Sequence, residues 1–431
     1  MRPEYPKAPQ GKSLRGLLLF AGTAVDERGR CSMLALLLAP VYLVLNAYLA
    51  RWLLRWMAAC THWFKKKWAV GCIMAFYIFV SLSPLTGFLI TQGPVHRFLK
   101  LLGNYWLGTL AYILLTVLVL DAVRLIWKRT RWGAKGLRHP RRAFVAAGGF
   151  VILFVAGISA WGILHAQNVV LREETVTVHK ACAAARQGEL RIALVSDLHL
   201  GYNVGAAQVK RVVETVNETQ PDVVVLAGDV FDNEYAAVYQ PEKIAALLRG
   251  IRSRFGVYAC WGNHDVSERL LAGFSFTAEN PAAEDEAYRA FFQNAGVQLL
   301  EDESVLVENA FYLVGRQDPQ RQEKLGQSRL SPAQLLAGLD AEKPVFVIDH
   351  QPRQLEELAA AGADLALSGH THNGQMFPGN LLIRLAWKNP AGVLQVGDMT
   401  SCVTQGAGVW GPAMRVGTDS EVMLLHVRFA P

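Results

Sequence analysis

Apolar residues are arranged in two unlike ways along this chain. In its first part they form long unbroken runs. Ser32–Ala50, Trp68–Ile90, Leu101–Leu120 and Ala143–Ala166 contain no Asp, Glu, Lys or Arg. Trp68–Ile90 spans 23 residues, roughly 34 Å of helix at ~1.5 Å per residue, enough to cross the ~30 Å apolar layer of a bilayer. The runs predict a bundle of four transmembrane helices, because helices of a soluble protein need polar faces that these lack. Pro40 and Pro84 fall inside two of the runs, where membrane helices tolerate proline. Arg51–Phe64 interleaves Trp52, Leu53, Leu54, Trp56 and Met57 with basic residues and is expected to lie flat at the interface. No charged start followed by a short apolar core and a small-residue cleavage site marks a cleavable signal peptide.

From about Val169 the apolar runs become short. Leu190–Ser196, Val223–Leu226, Val257–Trp261, Phe311–Gly315, Val345–Ile348 and Leu365–Leu367 read as buried strands. Between them Gln208–Thr219, Pro241–Phe255, Glu284–Ala295, Pro332–Leu339 and Arg353–Ala361 read as helices. Strands alternating with helices predict an α/β domain, largely parallel near its centre. The chain divides into a membrane region (1–166), a linker (167–184) and a folded domain (185–431), without internal repeats.

Charge sharpens this division. The net charge of +7 averages a first part, 1–166, with 21 Lys+Arg against four acids, and a remainder with 22 against 32. The basic residues flank apolar runs, which suits a membrane partner, and the acidic domain argues against a nucleic-acid partner. The first loop, with Lys65–Lys67, and the third, taken as residues 128–142, hold twelve Lys+Arg, against eight in the N-terminal tail and the second loop. By the positive-inside rule those loops are cytoplasmic, and four spans then put both termini and the domain on the outer face of the cell membrane. The six cysteines show no CxxC spacing, so neither a disulfide framework nor a zinc ribbon is expected.

Metal-binding residue types recur just after the strands. They are Asp197-Leu198-His199, Gly228-Asp229, Gly262-Asn263-His264-Asp265, Asp349-His350 and Gly369-His370-Thr371-His372. Ligands of α/β sheets gather outside the carboxyl ends of strands, so five strand ends would deliver these side chains to one rim. Carboxylates, imidazoles and an amide oxygen suit Mn²⁺, Fe, Zn²⁺ or Mg²⁺. Two such ions about 3.5–4 Å apart can clamp a phosphate and activate a water. Each piece alone is weak: Asp-x-His is common, Gly-Asp is often a turn, and a single His350 is more often a core histidine. Their order, each at a strand end, carries the reading.

That order resembles the calcineurin-like metallophosphoesterases. Gly369-His370-Thr371-His372-Asn373-Gly374-Gln375 and the tail Thr404-Gln405-Gly406-Ala407-Gly408, then Gly411-Pro412-Ala413-Met414-Arg415, are similar to their membrane-associated bacterial branch. The resemblance covers about 185–428. It implies a four-layer αββα sandwich and two divalent metal ions, with manganese favoured. Asp197, His199 and His372 would hold one metal, Asn263, His350 and His370 the other, and Asp229 would bridge them. His264 would protonate the leaving oxygen or steady the transition state, with Asp265 orienting it. Ser420-Glu421 stands where the branch has Pro-Glu, a change expected to be structural. Arg316 is read as a phosphate contact or as a solvated turn residue.

The expected function is hydrolysis of a phosphomonoester or phosphodiester by metal-activated water in a membrane-anchored enzyme. The apolar run Met376–Lys388, beside the metal signature, extends this to a phospholipid or lipid-linked phosphate. The alternatives are a membrane sensor or scaffold that uses the domain for binding, and transport by the spans. For transport the one intramembrane charge is Asp121, expected to pair with Arg124.

Overall fold

The computed structural model describes residues 33–60, 64, 66–90, 93–131, 139–271, 274–277 and 280–430. Four helices come first: α1 (Met33–Cys60), α2 (Lys67–Leu89), α3 (Gly93–Arg129) and α4 (Pro140–His165). Among the described residues three of them, α2, α3 and α4, are long and apolar enough to cross a membrane. The expected four spans are therefore corrected to three. The start of the expected first span, Ser32, lies outside the described residues, as do the N-terminal tail, Lys65 and residues 132–138. The helix found there, α1, runs on past Ala50 to Cys60 and takes in Arg51 and Arg55.

Residues 51–60 thus continue α1 instead of lying flat as a separate surface helix. Ala, Arg, Leu, Met and Trp offer no break in helix propensity. Their indoles turn onto α4: Trp52 meets Phe144 edge-on at 5.9 Å, and Trp56 donates to the Val145 carbonyl at 3.1 Å. Small residues let α2 and α3 approach closely, as in other membrane pairs. A Cβ on Gly103 would sit 3.2 Å from the Pro84 backbone, and one on Gly87 would sit 3.3 Å from that of Leu99. Asp121 receives the hydroxyl of Tyr48 in α1 at 3.4 Å, a neighbour the sequence reading did not foresee.

Two six-stranded sheets follow. The first has the order β1 (Val169–Val178), β14 (Ser420–Phe429), β2 (Glu189–Val195), β3 (Val223–Ala227), β4 (Val257–Cys260), β7 (Gln298–Leu299). The second has the order β12 (Gly392–Val396), β13 (Met399–Val403), β11 (Leu365–Ser368), β10 (Val345–Ile348), β9 (Phe311–Gly315), β8 (Glu303–Val307). A small hairpin, β5 (Glu268–Leu271) and β6 (Phe274–Thr277), stands apart. Strand periodicity builds the layers. Ile192 and Leu194 of β2 face a core shared with Phe346, Ile348, Leu365 and Leu367 of the other sheet. Their neighbours Ala193 and Val195 face outward onto α5 (Ala206–Glu218), α6 (Pro241–Arg249) and α7 (Asp285–Ala295). On the far side Val345 and Val347 pack with Leu335 of α9 (Pro332–Leu335) and Leu358 of α10 (Leu355–Ala360). Short α8 (Pro319–Lys324) and α11 (Gly379–Leu382) complete the set. Packing two sheets face to face with helices outside each buries both sheet faces.

The expected linker is largely a strand. β1 pairs in parallel with β14 over ten residues, from Val169↔Ser420 to Val178↔Phe429. The Ser420 hydroxyl donates to the Ala166 carbonyl at 2.8 Å, just beyond α4, a bond proline cannot make. Glu421 accepts from Thr404 and from the backbone N–H and side-chain amide of Gln405 at 2.8–3.0 Å. The domain also docks on the helices through Met414 and Val416, which share a core with Trp106, Leu110 and Tyr112 of α3.

Candidate metal centre

Five parallel strands bring the expected residues together. Asp197 and His199 follow β2, Asp229 follows β3, Asn263 and His264 follow β4, His350 follows β10, and His370 and His372 follow β11. The backbone there is tightly coiled. Asp197, His199, Asp229, His370 and His372 have φ of 55, 47, 50, 72 and 47°, the left-handed region that costs non-glycine residues about 1–3 kcal/mol each and that persists at functional sites. Glycine is required where these turns meet. A Cβ on Gly262 would collide with the Asp229 backbone and carboxylate, and one on Gly369 with Ser196 and Asp197.

Two groups of donors result. Asp197, His199 and His372 form one, and Asp229, His350 and His370 the other, each with its ligand atoms within 4.8 Å of one another. In the first, Nε2 of His372 is 3.0 Å from Nε2 of His199 and 3.4 Å from Asp197 Oδ1. In the second, Nε2 of His350 is 3.0 Å from Asp229 Oδ2, 3.2 Å from Asn263 Oδ1 and 3.3 Å from Nδ1 of His370. Asp229 Oδ2 also lies 3.8 Å from Nε2 of His199, so it stands between the groups. Imidazole nitrogens this close aim lone pairs at a common point, an arrangement that a cation satisfies. The nitrogen and oxygen donors fit two borderline-to-hard divalent ions.

Burial sets the charge of this cluster. It drives His370 and His372 well below the usual histidine range, so both are neutral, as ligands must be. It pushes Asp197 up. Burial would raise Asp229 too, but the neighbouring His350 and His264 outweigh it and hold that carboxyl well below its ordinary value. His350 rises despite its burial, because Asp229 faces it.

A second layer orients the rings. Nδ1–H of His350 donates to the Ala227 carbonyl at 2.8 Å. Nδ1 of His199 faces Asp232 Oδ1 at 3.6 Å. Nδ1 of His264 meets Asn233 Oδ1 at 2.5 Å, while the His264 backbone N–H donates to Asp229 Oδ1 at 2.7 Å. The orienting role expected of Asp265 is thereby corrected. Its carboxylate turns back to accept from the N–H groups of Phe231 and Gly262 at 2.8 and 2.7 Å, and burial pushes it up to about 7. Asn233 was missed, although Gly228-Asp229-Val230-Phe231-Asp232-Asn233 sets two polar side chains close behind a ligand. Burial also lowers His264 to about 4, so it rests neutral in this cluster. Arg316 is neither a solvated residue nor a phosphate contact. It is buried, pairing with Asp349 at 3.0 Å and with Gln354 at 2.7 Å.

Above the two groups lies a cavity of about 380 Å³. His199, Asp229, His264, His370 and His372 form its floor, and Met376, Ile383, Trp387 and Trp410 give it apolar walls. The Trp387 ring lies 5.0 Å from His370, and that of Trp410 lies 6.0 Å from His264.

Comparison with known proteins agrees with this geometry. Residues 190–374 match the family model for calcineurin-like phosphoesterases. A "Transmembrane protein with metallophosphoesterase domain" of Danio rerio is 28% identical over 368 residues, 81% of this chain and 78% of the relative. Its Bos taurus counterpart is 27% identical over 362 residues, 80% and 77% of the two chains. The "UDP-2,3-diacylglucosamine pyrophosphatase LpxG" of Chlamydia trachomatis is 24% identical over 220 residues, 43% of this chain and 64% of the relative. Strand-end ligands and these relatives agree that residues 190–374 are similar to the calcineurin-like phosphoesterase domain.

Proposed function

We propose that this protein is a membrane-anchored phosphoesterase whose substrate is a phosphate ester carrying a lipid tail. Asp197, His199 and His372 would hold one divalent ion, Asn263, His350 and His370 the second, and Asp229 both. The ions would supply a water of lowered pKa and neutralise the phosphoryl oxygens. His264 lines the cavity, and its Nδ1–H is fixed by Asn233. A bound phosphate's negative charge would raise this histidine from its low resting value and let it give a proton to the leaving oxygen. Asp265 supports the turn that carries it.

The observation that carries the lipid assignment is the apolar side of the cavity. Met376 belongs to the core shared with the membrane helices, and the Tyr112 hydroxyl of α3 donates to the Phe377 carbonyl at 3.1 Å. From there Leu381, Leu382 and Leu385 stand 57, 61 and 86% exposed. Exposed leucines in a row beside helices that suit a bilayer favour burial in lipid over contact with water. A tail could then run from this surface past Met376 and Trp387 to the metals. The Chlamydia relative, named for a diacylated sugar nucleotide, is consistent with such a substrate.

The test compares a phospholipid monoester in vesicles with p-nitrophenyl phosphate, using the Mn²⁺-loaded protein. Leu382→Ser with Leu385→Ser, both distant from the ligands, should slow the vesicle reaction at least tenfold and leave the soluble ester unaffected. Equal rates on both substrates before and after the change would remove the lipid assignment.

A further inference from the structure

α3 is longer than a bilayer requires, and its first turns lie against the catalytic domain, where they grip one loop, residues 232–239. Nε2 of His96 is 2.7 Å from the Tyr202 hydroxyl, which donates to Glu234 Oε2 at 2.8 Å. Lys100 Nζ lies 3.9 Å from Glu234 Oε1. Arg97 donates to the Ala237 carbonyl at 2.8 Å, and its guanidinium lies over the rings of Tyr202 and Tyr239 at 5.6 and 5.4 Å. The gripped loop is the one that supports the metal centre. Asp232 faces His199, Asn233 holds Nδ1 of His264, and Glu234 is the next residue. Asn233 is fully buried with φ of 64°, a conformation that a non-glycine residue keeps only when its surroundings hold it.

Resting on the phosphoesterase reading, we propose that Tyr202 and Glu234 are positioning residues for His264. Through them α3 ties the placement of that histidine to a helix in the membrane. Other anchors on the loop come from the catalytic domain itself. The Tyr288 hydroxyl donates to the Asn233 carbonyl at 3.2 Å, Glu284 accepts from the Tyr235 N–H at 2.9 Å, and the Asn233 amide donates to Glu268 at 2.8 Å. These keep the loop folded when the α3 contacts are cut, so cutting them shifts His264 without collapsing the site. A shift of about 1 Å in a reacting group is enough to cost up to about 100-fold in rate.

The test uses the full chain in lipid nanodiscs, loaded with Mn²⁺, with phenyl phosphate and p-nitrophenyl phosphate as substrates. Tyr202→Phe keeps the ring under Arg97 and removes the hydroxyl between His96 and Glu234. Its kcat on phenyl phosphate should fall about 10- to 100-fold with KM and metal content unchanged. The loss should be smaller on p-nitrophenyl phosphate, whose leaving group barely needs a proton. In a His264→Ala background the same change should cost nothing further, because the residue it positions is gone. Glu234→Gln should reproduce the pattern and serves if the first variant folds poorly. Equal losses on the two esters, or losses that multiply with His264→Ala, overturn the positioning role. A wild-type chain that hydrolyses neither ester strikes the phosphoesterase reading itself, so the two failures are told apart.

Discussion

Asp229 is the residue on which the centre turns, because its carboxylate stands between the two donor groups. Asp229→Asn should abolish turnover and lower metal content, since a neutral amide cannot hold two dications together. Full loading of two metals per chain in that variant, measured by elemental analysis, would remove Asp229 from its place. His264→Ala should keep its metals and lose on the order of 10²–10⁴ in kcat; collapse of metal loading would make His264 a ligand instead. The residue types at the strand ends were legible because each follows a short apolar run. The partner of His264 was not. The family resemblance implied Asp265, but the tight turn after β4 sends the His264 and Asp265 side chains to different partners, and that of His264 comes from the loop after β3.

Among elements, β1 shows what periodicity cannot reveal. Its centre reads Leu171-Arg172-Glu173-Glu174-Thr175 and is mostly exposed, so it resembles a linker. What makes it a strand is β14, some 250 residues away, which pairs with it from Val169↔Ser420 onward. His426 fastens this edge, with Nε2 2.9 Å from Glu173 of β1 and Nδ1 2.8 Å from Glu189 of β2. The bond to Glu189 raises His426 above its ordinary value, and the same bond holds Glu189 below its own. The histidine's contribution is fully present below its unfolded pKa, ~6.5, and is lost as pH rises through the raised folded value. That of Glu189 is present above its unfolded pKa, ~4.3, and is lost as pH falls through the lowered one. Thermal melts should therefore show a decline in Tm above neutral pH, which His426→Gln should flatten. An unchanged slope in that variant would assign the decline to other groups.

At the scale of the whole molecule, the expected side rests on the α3–α4 hairpin. Arg141 of α4 donates to the Ala59 carbonyl of α1 at 2.8 Å, so the end of α1 and the start of α4 share one end of the bundle. Lys66, Lys67, Lys128, Arg129, Arg131, Arg141 and Arg142 gather at that end, and the catalytic domain sits at the other. From the positive-inside rule we predict that the domain lies on the outer face, whether or not α1 also crosses. A reporter that fluoresces only after folding in the cytoplasm, fused after Pro431, should stay dark; normal fluorescence would reverse the orientation. The apolar runs made the membrane region legible, but not where α1 ends. Only its packing on α4 shows that the basic stretch from Arg51 continues the helix.

The position of β14 between β1 and β2 also sets a schedule for synthesis. Every proposed metal ligand precedes β14 in the chain, yet the strand that carries Asp197 and His199 has β14 as its neighbour. At ~5–20 residues per second, a ribosome needs on the order of tens of seconds to travel from β2 to β14. Throughout that interval the inner face of β2, with Ile192 and Leu194, lacks the strand that completes its sheet. The nascent domain meanwhile follows helices that are long and apolar enough to have entered a bilayer. A messenger truncated before codon 420 would thus yield a protein that contains every proposed ligand but lacks a strand its first sheet needs, a natural substrate for membrane quality-control proteases.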